Sequence, residues 1–360
     1  MIRILGKNQR VGIIKQPKTI ASATAFECNG ATTLGWTNPA VAGTNFRTIY
    51  PDAMTTIPDP APNHEYYNTT SQYGALFESE RFHADNTTGL KRFAFSGTLW
   101  KNDAAPLIIG AAQAVTEAGT TPFSKSITSG FIAGLLDFAN DDGHLHSLSF
   151  DTATSTAADG FLMVNGVVDR IELIWDFNAQ GVARNLKYNI EWVFSAITPD
   201  TNLSGTWATT TRAPFNDDDT FAFSALTSDS VDLTSITPRR FTFSINNNVS
   251  VKSQTTAGVP NNFDMRPQYL SNLLFDFGAT NSTVPGDFKA GTTVAATLAN
   301  DVTLGLDGYF ALALPGGVMT RNPYQYEGDF AALSMDIEWQ STGGATPFTL
   351  TLVDTQDWNY

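Results

Sequence analysis

The chain has 360 residues, of which 16% are charged and 42% apolar, with a formal net charge of −14. Only nine Glu and nine Lys occur, too few to give long helices their solvated faces, so a helical bundle is excluded. The acidic balance disfavours a grip on nucleic acid, since phosphates would be repelled.

Both parts of the chain share this sign. Split near residue 210, the first part carries 14 basic and 19 acidic residues and the second 7 and 16. The single cysteine, Cys28, cannot close an intramolecular disulfide. No run of about 18 apolar residues occurs and the start lacks a signal-like apolar stretch, so neither export by a recognisable signal nor membrane insertion is expected.

In chain order, residues 36–90 carry Pro39, Pro51, Pro58, Pro60 and Pro62 without a sustained apolar period, which predicts a long surface excursion. From Lys91, Phe93, Phe95 and Leu99 alternate with polar or small residues, the pattern of a half-buried strand. Asp103 then caps a predicted helix that holds Pro106 in its first turn and runs through Leu107, Ile108, Ile109 and Val115 to Gly119.

Two strictly alternating strands follow, one carrying Ile171, Leu173, Trp175 and Phe177, the other Leu186, Tyr188, Ile190, Trp192 and Phe194. Residues 196–219 are polar and turn-rich and read as a linker. Beyond them alternation returns at Phe241, Phe243 and Ile245, at Leu333, Met335, Ile337 and Trp339, and at Phe348, Leu350 and Leu352. Gly, Thr, Ser and Asn interrupt the apolar runs throughout, so the fold class is mainly β.

The halves resemble each other. Residues 186–192 match 333–339 with a shared Ile-Glu-Trp ending, and Gly166-Val167 precedes one as Gly317-Val318 precedes the other. For the earlier strand two partners compete: Arg240-Phe241-x-Phe243-Ser244 matches Arg92-Phe93-x-Phe95-Ser96, and Leu273, Leu274, Phe275 and Phe277 offer another alignment.

Chemistry-bearing motifs are sparse. There is no G-x-S-x-G, phosphate loop, G-x-G-x-x-G or paired C-x-x-C. His64-Glu65 lacks the second histidine of a zinc protease, and His144 and His146 share a strand face but follow the polar turn Asn140 to Gly143, where exposed histidines are common. An EF-hand frame fails at Phe138 and Ser149. Asp217, Asp218 and Asp219 read as a solvated linker tip. Trp175, Trp192 and Trp339 fall on the inward phase of their strands and are candidate core or interface aromatics. Glu172, Glu191, Asp336 and Glu338 point the other way.

The run 89–100 followed by 105–112 resembles the strand-then-helix segment of tail tube proteins from long-tailed, non-contractile bacteriophages. Residues 160–173, 186–194, 240–249, 273–277 and 317–354 follow in that family's order, so the resemblance covers most of residues 89–354. It implies two tandem tail-tube β-sandwich or barrel domains, each with a short flanking helix: residues 1–205 with an inserted arm around 36–90, a linker at 206–220, and residues 221–360.

The resemblance further implies a structural virion protein without enzymatic activity or cofactor, catalytic residue or bound metal. Homotrimeric, pseudo-hexameric rings would stack into the tube that carries double-stranded DNA, assembled in the host cytoplasm with tape measure, tail terminator and tail-tip proteins as partners. Glu172, Glu191, Asp336 and Glu338 are the candidate lumen-facing carboxylates. The competing readings are a carbohydrate-binding or glycosidase-like β-sandwich, for which any acidic β protein offers carboxylate pairs, and another virion β protein such as a capsid decoration or tail-tip piece.

Overall fold

The computed structural model of the chain describes residues 10–15, 47–56, 63–68, 81–86, 90–111, 114–129, 134–137, 145–151, 160–178, 186–200, 213, 215, 221–228, 231–236, 238–252, 262–278, 281–327, 330–341 and 344–355. They form 24 strands and two helices. Cys28, His144, the Asn140 to Gly143 turn and Asp217 to Asp219 lie outside the described residues.

The first half contributes β1 (Arg10–Lys15), β2 (Arg47–Ile49), β3 (Ala53–Thr56), β4 (Asn63–Asn68), β5 (Arg81–Asn86), β6 (Lys91–Thr98), helix α1 (Lys101–Ile109), β7 (Ala114–Ala118), β8 (Phe123–Thr128) and β9 (Gly134–Asp137). It continues with β10 (His146–Asp151), β11 (Gly160–Asp176), β12 (Lys187–Phe194) and β13 (Ala196–Asp200). The second half contributes β14 (Phe221–Ser228), β15 (Val231–Asp232), β16 (Arg240–Asn246), β17 (Ser250–Val251), β18 (Asn262–Met265) and β19 (Gln268–Asp276). Helix α2 (Val284–Ala290) follows, then β20 (Thr293–Asn300), β21 (Phe310–Met319), β22 (Tyr324–Glu327), β23 (Phe330–Trp339) and β24 (Thr349–Asp354).

Nineteen strands join in one antiparallel network, which resolves into three layers. The first is an eight-stranded sheet ordered β3–β6–β12–β11–β16–β19–β23–β22. The second runs β7–β8–β24–β21–β20–β14–β15, and the third β13–β11–β10–β1–β2. Alternation decides the packing. Phe93, Phe95, Ile171, Leu173, Trp175, Tyr188, Ile190, Trp192, Phe241, Phe243, Leu273, Phe275, Met335, Ile337 and Trp339 are all buried on one face of the first sheet. Against that face lies the second layer, where Phe310 meets Trp175 at 5.8 Å and Phe348 meets Phe243 at 5.4 Å between ring centroids.

Two long strands change layers. β11 pairs with β10 and β13 through its first part and with β12 and β16 through its last. β21 pairs with β24 through its first part and with β23 through its last, keeping β20 on its other side. Glycine marks both crossings, because a Cβ on Gly166 would stand 2.3 Å from the Phe194 ring and one on Gly317 2.5 Å from Ile337 Cγ2.

The internal likeness is visible as two strand triplets, β6–β12–β11 and β19–β23–β21, in which the first strand is followed by α1 or α2. Trp192 stands opposite Phe93, and Trp339 opposite Tyr269. This pairs β6 with β19. β16, the other sequence match, lies between β11 and β19 and ties the halves together.

Four expectations need correction. Helix α1 stops at Ile109, with Trp100 rather than Asp103 at its N-cap and no side-chain cap bond. Gly110 follows, where a Cβ would lie 2.1 Å from the Trp192 ring, and Val115 belongs to β7, paired with β8. Residues 47–56 are not an excursion: β2 and β3 enter the sheets, and Ile49 is in the core. Among the described residues β4 and β5, carrying His64-Glu65, pair only with each other. Within the expected linker, 196–200 form β13, and Phe215 is buried against Phe221 and Phe310 at 6.3 and 5.1 Å. Finally, His146 is not an exposed ligand; it is 1% accessible and packs edge-on to Trp192 at 5.7 Å.

Candidate functional site

The second layer covers the aromatic face of the eight-stranded sheet; among the described residues the opposite face is covered only at one end. Register fixes what it carries. One cross-strand row reads Ser96, Asn189, Glu172, Ser244, Leu270, Glu338, and the next Thr98, Lys187, Ile174, Thr242, Asn272, Asp336. A third contains Ala94, Glu191, Arg170, Asn246 and Gln268. The four candidate carboxylates, Glu172, Glu191, Asp336 and Glu338, therefore share one face although they come from β11, β12 and β23. Trp175, Trp192 and Trp339 are at most 2% accessible and sit on the opposite face.

The face is mixed rather than purely acidic. Its carboxylates Glu172, Asp176, Glu191, Asp276, Asp336 and Glu338 oppose the cations Arg92, Arg170, Lys187 and Arg240. Most of the carboxylates hold a neighbour. Arg92 Nη1 donates to Glu191 Oε1 at 2.5 Å and to Asp169 Oδ2 at 2.8 Å. Asn189 Nδ2 donates to Glu172 Oε2 at 2.9 Å, and Arg170 Nη2 stands 3.8 Å from Glu172 Oε1. Asp336 accepts from Asn272 Nδ2 at 2.6 Å and pairs with Arg321. Asp276 pairs with Arg239. Among the described residues Glu338 is the one candidate carboxylate whose side chain has no hydrogen-bond or ion-pair partner.

Burial by itself would lower the Arg92 pKa, but the hydrogen bonds and charges of Glu191 and Asp169 outweigh it and raise the pKa above its ordinary value. Arg92 thus stays charged and occupied. Between β3 and β11 the face dips into an open depression of ≈ 360 Å³ lined by Thr55, Ser96, Arg170, Glu172, Asn189 and Glu191. Its lining can accept and donate hydrogen bonds but presents no exposed ring for stacking.

Beyond Glu191 the free face ends under an apolar cap. Val193, Val167 and Leu145 pack with Val249, Phe263 and Met265 beneath the small sheet β9–β18–β17. Asn247 Nδ2, donating to Ala111 O at 3.0 Å and Val168 O at 2.7 Å, fixes this end to the second residue after α1.

The edges of the sheet complete the site. β3 pairs only with β6, and β22 only with β23, so among the described residues each leaves its outer backbone groups without a strand partner. Sequence reasoning missed both strands, because four-residue segments flanked by Pro51, Asn322 and Pro323 carry no usable periodicity. Among the described residues no group of three or more His, Cys, Asp or Glu could hold a metal ion, and no helix is long and apolar enough to cross a membrane. No family model matches this chain, and no curated protein matches it either.

Proposed function

We propose that this chain is a self-assembling structural subunit, the tail tube protein of a long, non-contractile-tailed bacteriophage, built as two tandem tube domains. The observation that carries the proposal is the eight-stranded sheet that crosses both halves, with, among the described residues, most of one polar face uncovered and a strand edge open at each side. Open edges are aggregation hazards unless sister copies satisfy them, and a closed ring of heterologous contacts does so without leaving an end.

Dimensions support a trimer. Three copies supply about 24 strands, which at a spacing of about 4.8 Å and a tilt of about 40° close a barrel with a backbone diameter of about 50 Å. After lining side chains, about 40 Å remains, wide enough for a duplex about 20 Å across. Since the aromatic face is covered by the subunit's own second layer, the polar face is the one available to line the bore.

On this reading the lining carboxylates act chiefly on their neighbours. A free arginine would hold a passing phosphate, but Arg92, held by Glu191 and Asp169, and Arg170, beside Glu172, are already neutralised. With these cations matched by carboxylates, the bore does not retain DNA. The hairpin β4–β5 is the described part of the arm toward the next ring, and the tape measure, terminator and tail-tip proteins are the partners that would set length and ends.

Electron microscopy of the purified protein tests the proposal. Rings with three copies and a central hole, alone or stacked into tubes, are the expected result. Discrete monomers at all concentrations, or binding on a sugar array without self-association, would overturn it in favour of a sugar-binding β protein.

A further inference from the structure

We infer that rings of this chain stack head to tail through an apolar prong at residues 301–309, the turn between β20 and β21, seated on the apolar rim at the opposite end of the next copy; the inference rests on the self-assembly proposed above. Leu304 and Leu306 at the tip are 64% and 58% accessible, the two most exposed large apolar side chains among the described residues. Such exposure normally marks a contact or a floppy loop. This loop is held at its base: Lys101 Nζ pairs with Asp307 at 2.5 Å, Gly308 N donates to Val353 O at 2.8 Å and Val353 N to Tyr309 O at 3.0 Å. Asn300 adds two more bonds, to Gly308 O at 2.8 Å and from Phe310 N at 3.0 Å. The tip itself is folded, with Leu306 N donating to Thr303 O at 3.0 Å. The leucines are therefore presented in a fixed conformation, which lowers the ordering cost of docking.

Position and polarity select the receiving surface. Phe310, beside the prong, packs on Trp175, which is opposite Phe241 near the start of β16. At the other end of β16 the apolar cap described above is rimmed by partly buried Leu90 and Val251, with exposed Lys252 and Arg266 beside them. Arg266 also lies 3.7 Å from Asp264, which tempers but does not cancel that positive rim. The prong matches the apolar rim in polarity.

Contact area selects the occupant. Two leucines offer on the order of 200 Å², well short of the roughly 800 Å² per partner of a stable interface. One prong cannot hold a single partner molecule. Another ring of the same chain presents three receiving rims in register, so three weak contacts act together. Because prong and rim lie at opposite ends, the contact is heterologous and propagates as a stack.

The test uses full-length Leu304→Asp/Leu306→Asp and, separately, Val251→Asp, examined by negative-stain microscopy and sedimentation velocity beside the wild-type protein. Single rings are expected from each variant where the wild type gives stacks. Mixing the two variants is expected to restore two-ring stacks and no longer ones, since each mixed junction has one intact prong and one intact rim; this also shows that both variants are folded. Wild-type-length stacks from the prong variant, or no double rings on mixing, would overturn the inference while leaving the tube proposal standing. A wild type that forms neither rings nor stacks would remove the tube proposal, and this inference with it.

Discussion

Individual side chains make sharp predictions because several polar atoms here are buried beside apolar ones. Trp339 Nε1 donates to Ser271 Oγ at 2.7 Å. At the corresponding place in the other triplet, Phe95 stands opposite Ile190 as Ser271 stands opposite Ile337, and Trp192 Nε1 has no hydrogen-bond partner among the described residues. Ser271→Ala should therefore lower unfolding free energy by about 1–3 kcal/mol, the cost of orphaning a buried donor, as measured by denaturant titration. Lys125 is 0% accessible, 2.6 Å from buried Asp354 and 3.8 Å from Glu117. Lys125→Ala leaves that buried carboxylate without its cation and should cost about 3–5 kcal/mol, whereas a wholly apolar replacement of Lys125 and Asp354 together should recover most of the loss. On the polar face, Glu191→Ala removes one carboxylate and leaves Arg92 with Asp169 alone, so each subunit's face gains one net positive charge. Assembled rings of this variant should retain duplex DNA at low salt where the wild type does not. Each phosphate contact so gained should add roughly 0.9 to the log–log salt slope, read by fluorescence anisotropy.

At the scale of elements, the edge strands matter most. Thr55 lies in β3 at the shift in its register with β6, between Met54 and Thr56. Proline there removes a backbone donor from an exposed edge while leaving the core untouched. Thr55→Pro should abolish ring formation in sedimentation velocity, with a melting temperature within a few degrees of the wild type; rings formed as readily as before would mean that β3 is not the joining edge. Helix α1 shows how an element ends for a reason outside itself. Its local pattern of Ala111 and Val115 continues the helical phase past Ile109, but the helix ends against the Trp192 ring, which leaves no room for a side chain at Gly110. The resulting turn sets β7 against β8, and β8 then pairs with β24, the last strand of the other half.

For the whole molecule, the ladders β11–β16 and β8–β24 mean that the halves are hydrogen-bonded to each other through two separate layers. Calorimetry of the full chain should accordingly show one cooperative transition. Residues 1–205 expressed alone would lose the strand partners of β11 and β8, expose Trp175 and Ile127 and aggregate; two independent, reversible transitions would show that the ladders are secondary to each half's own core.

What the sequence determined by itself was alternation: which residues of β6, β11, β12, β16, β23 and β24 point inward, hence the mainly β class, the buried tryptophans and the outward phase of Glu172, Glu191, Asp336 and Glu338. Side-chain direction in a strand follows from period two and needs no partner. The likeness of Ile-Glu-Trp in β12 and β23 was legible for the same reason. Only the tertiary structure decided which strands are neighbours, because pairing depends on backbone groups that every residue carries alike. It brought β12, β11 and β23 into one sheet, matched β6 with β19 instead of β16, and gave Arg92 its two carboxylates from strands 77 and 99 residues away. It also recruited the short segments β2, β3 and β22, which are too brief to carry a period, and drew Phe215 out of a polar stretch into the aromatic core, where neighbours distant in the chain supply the apolar surroundings that local composition lacks.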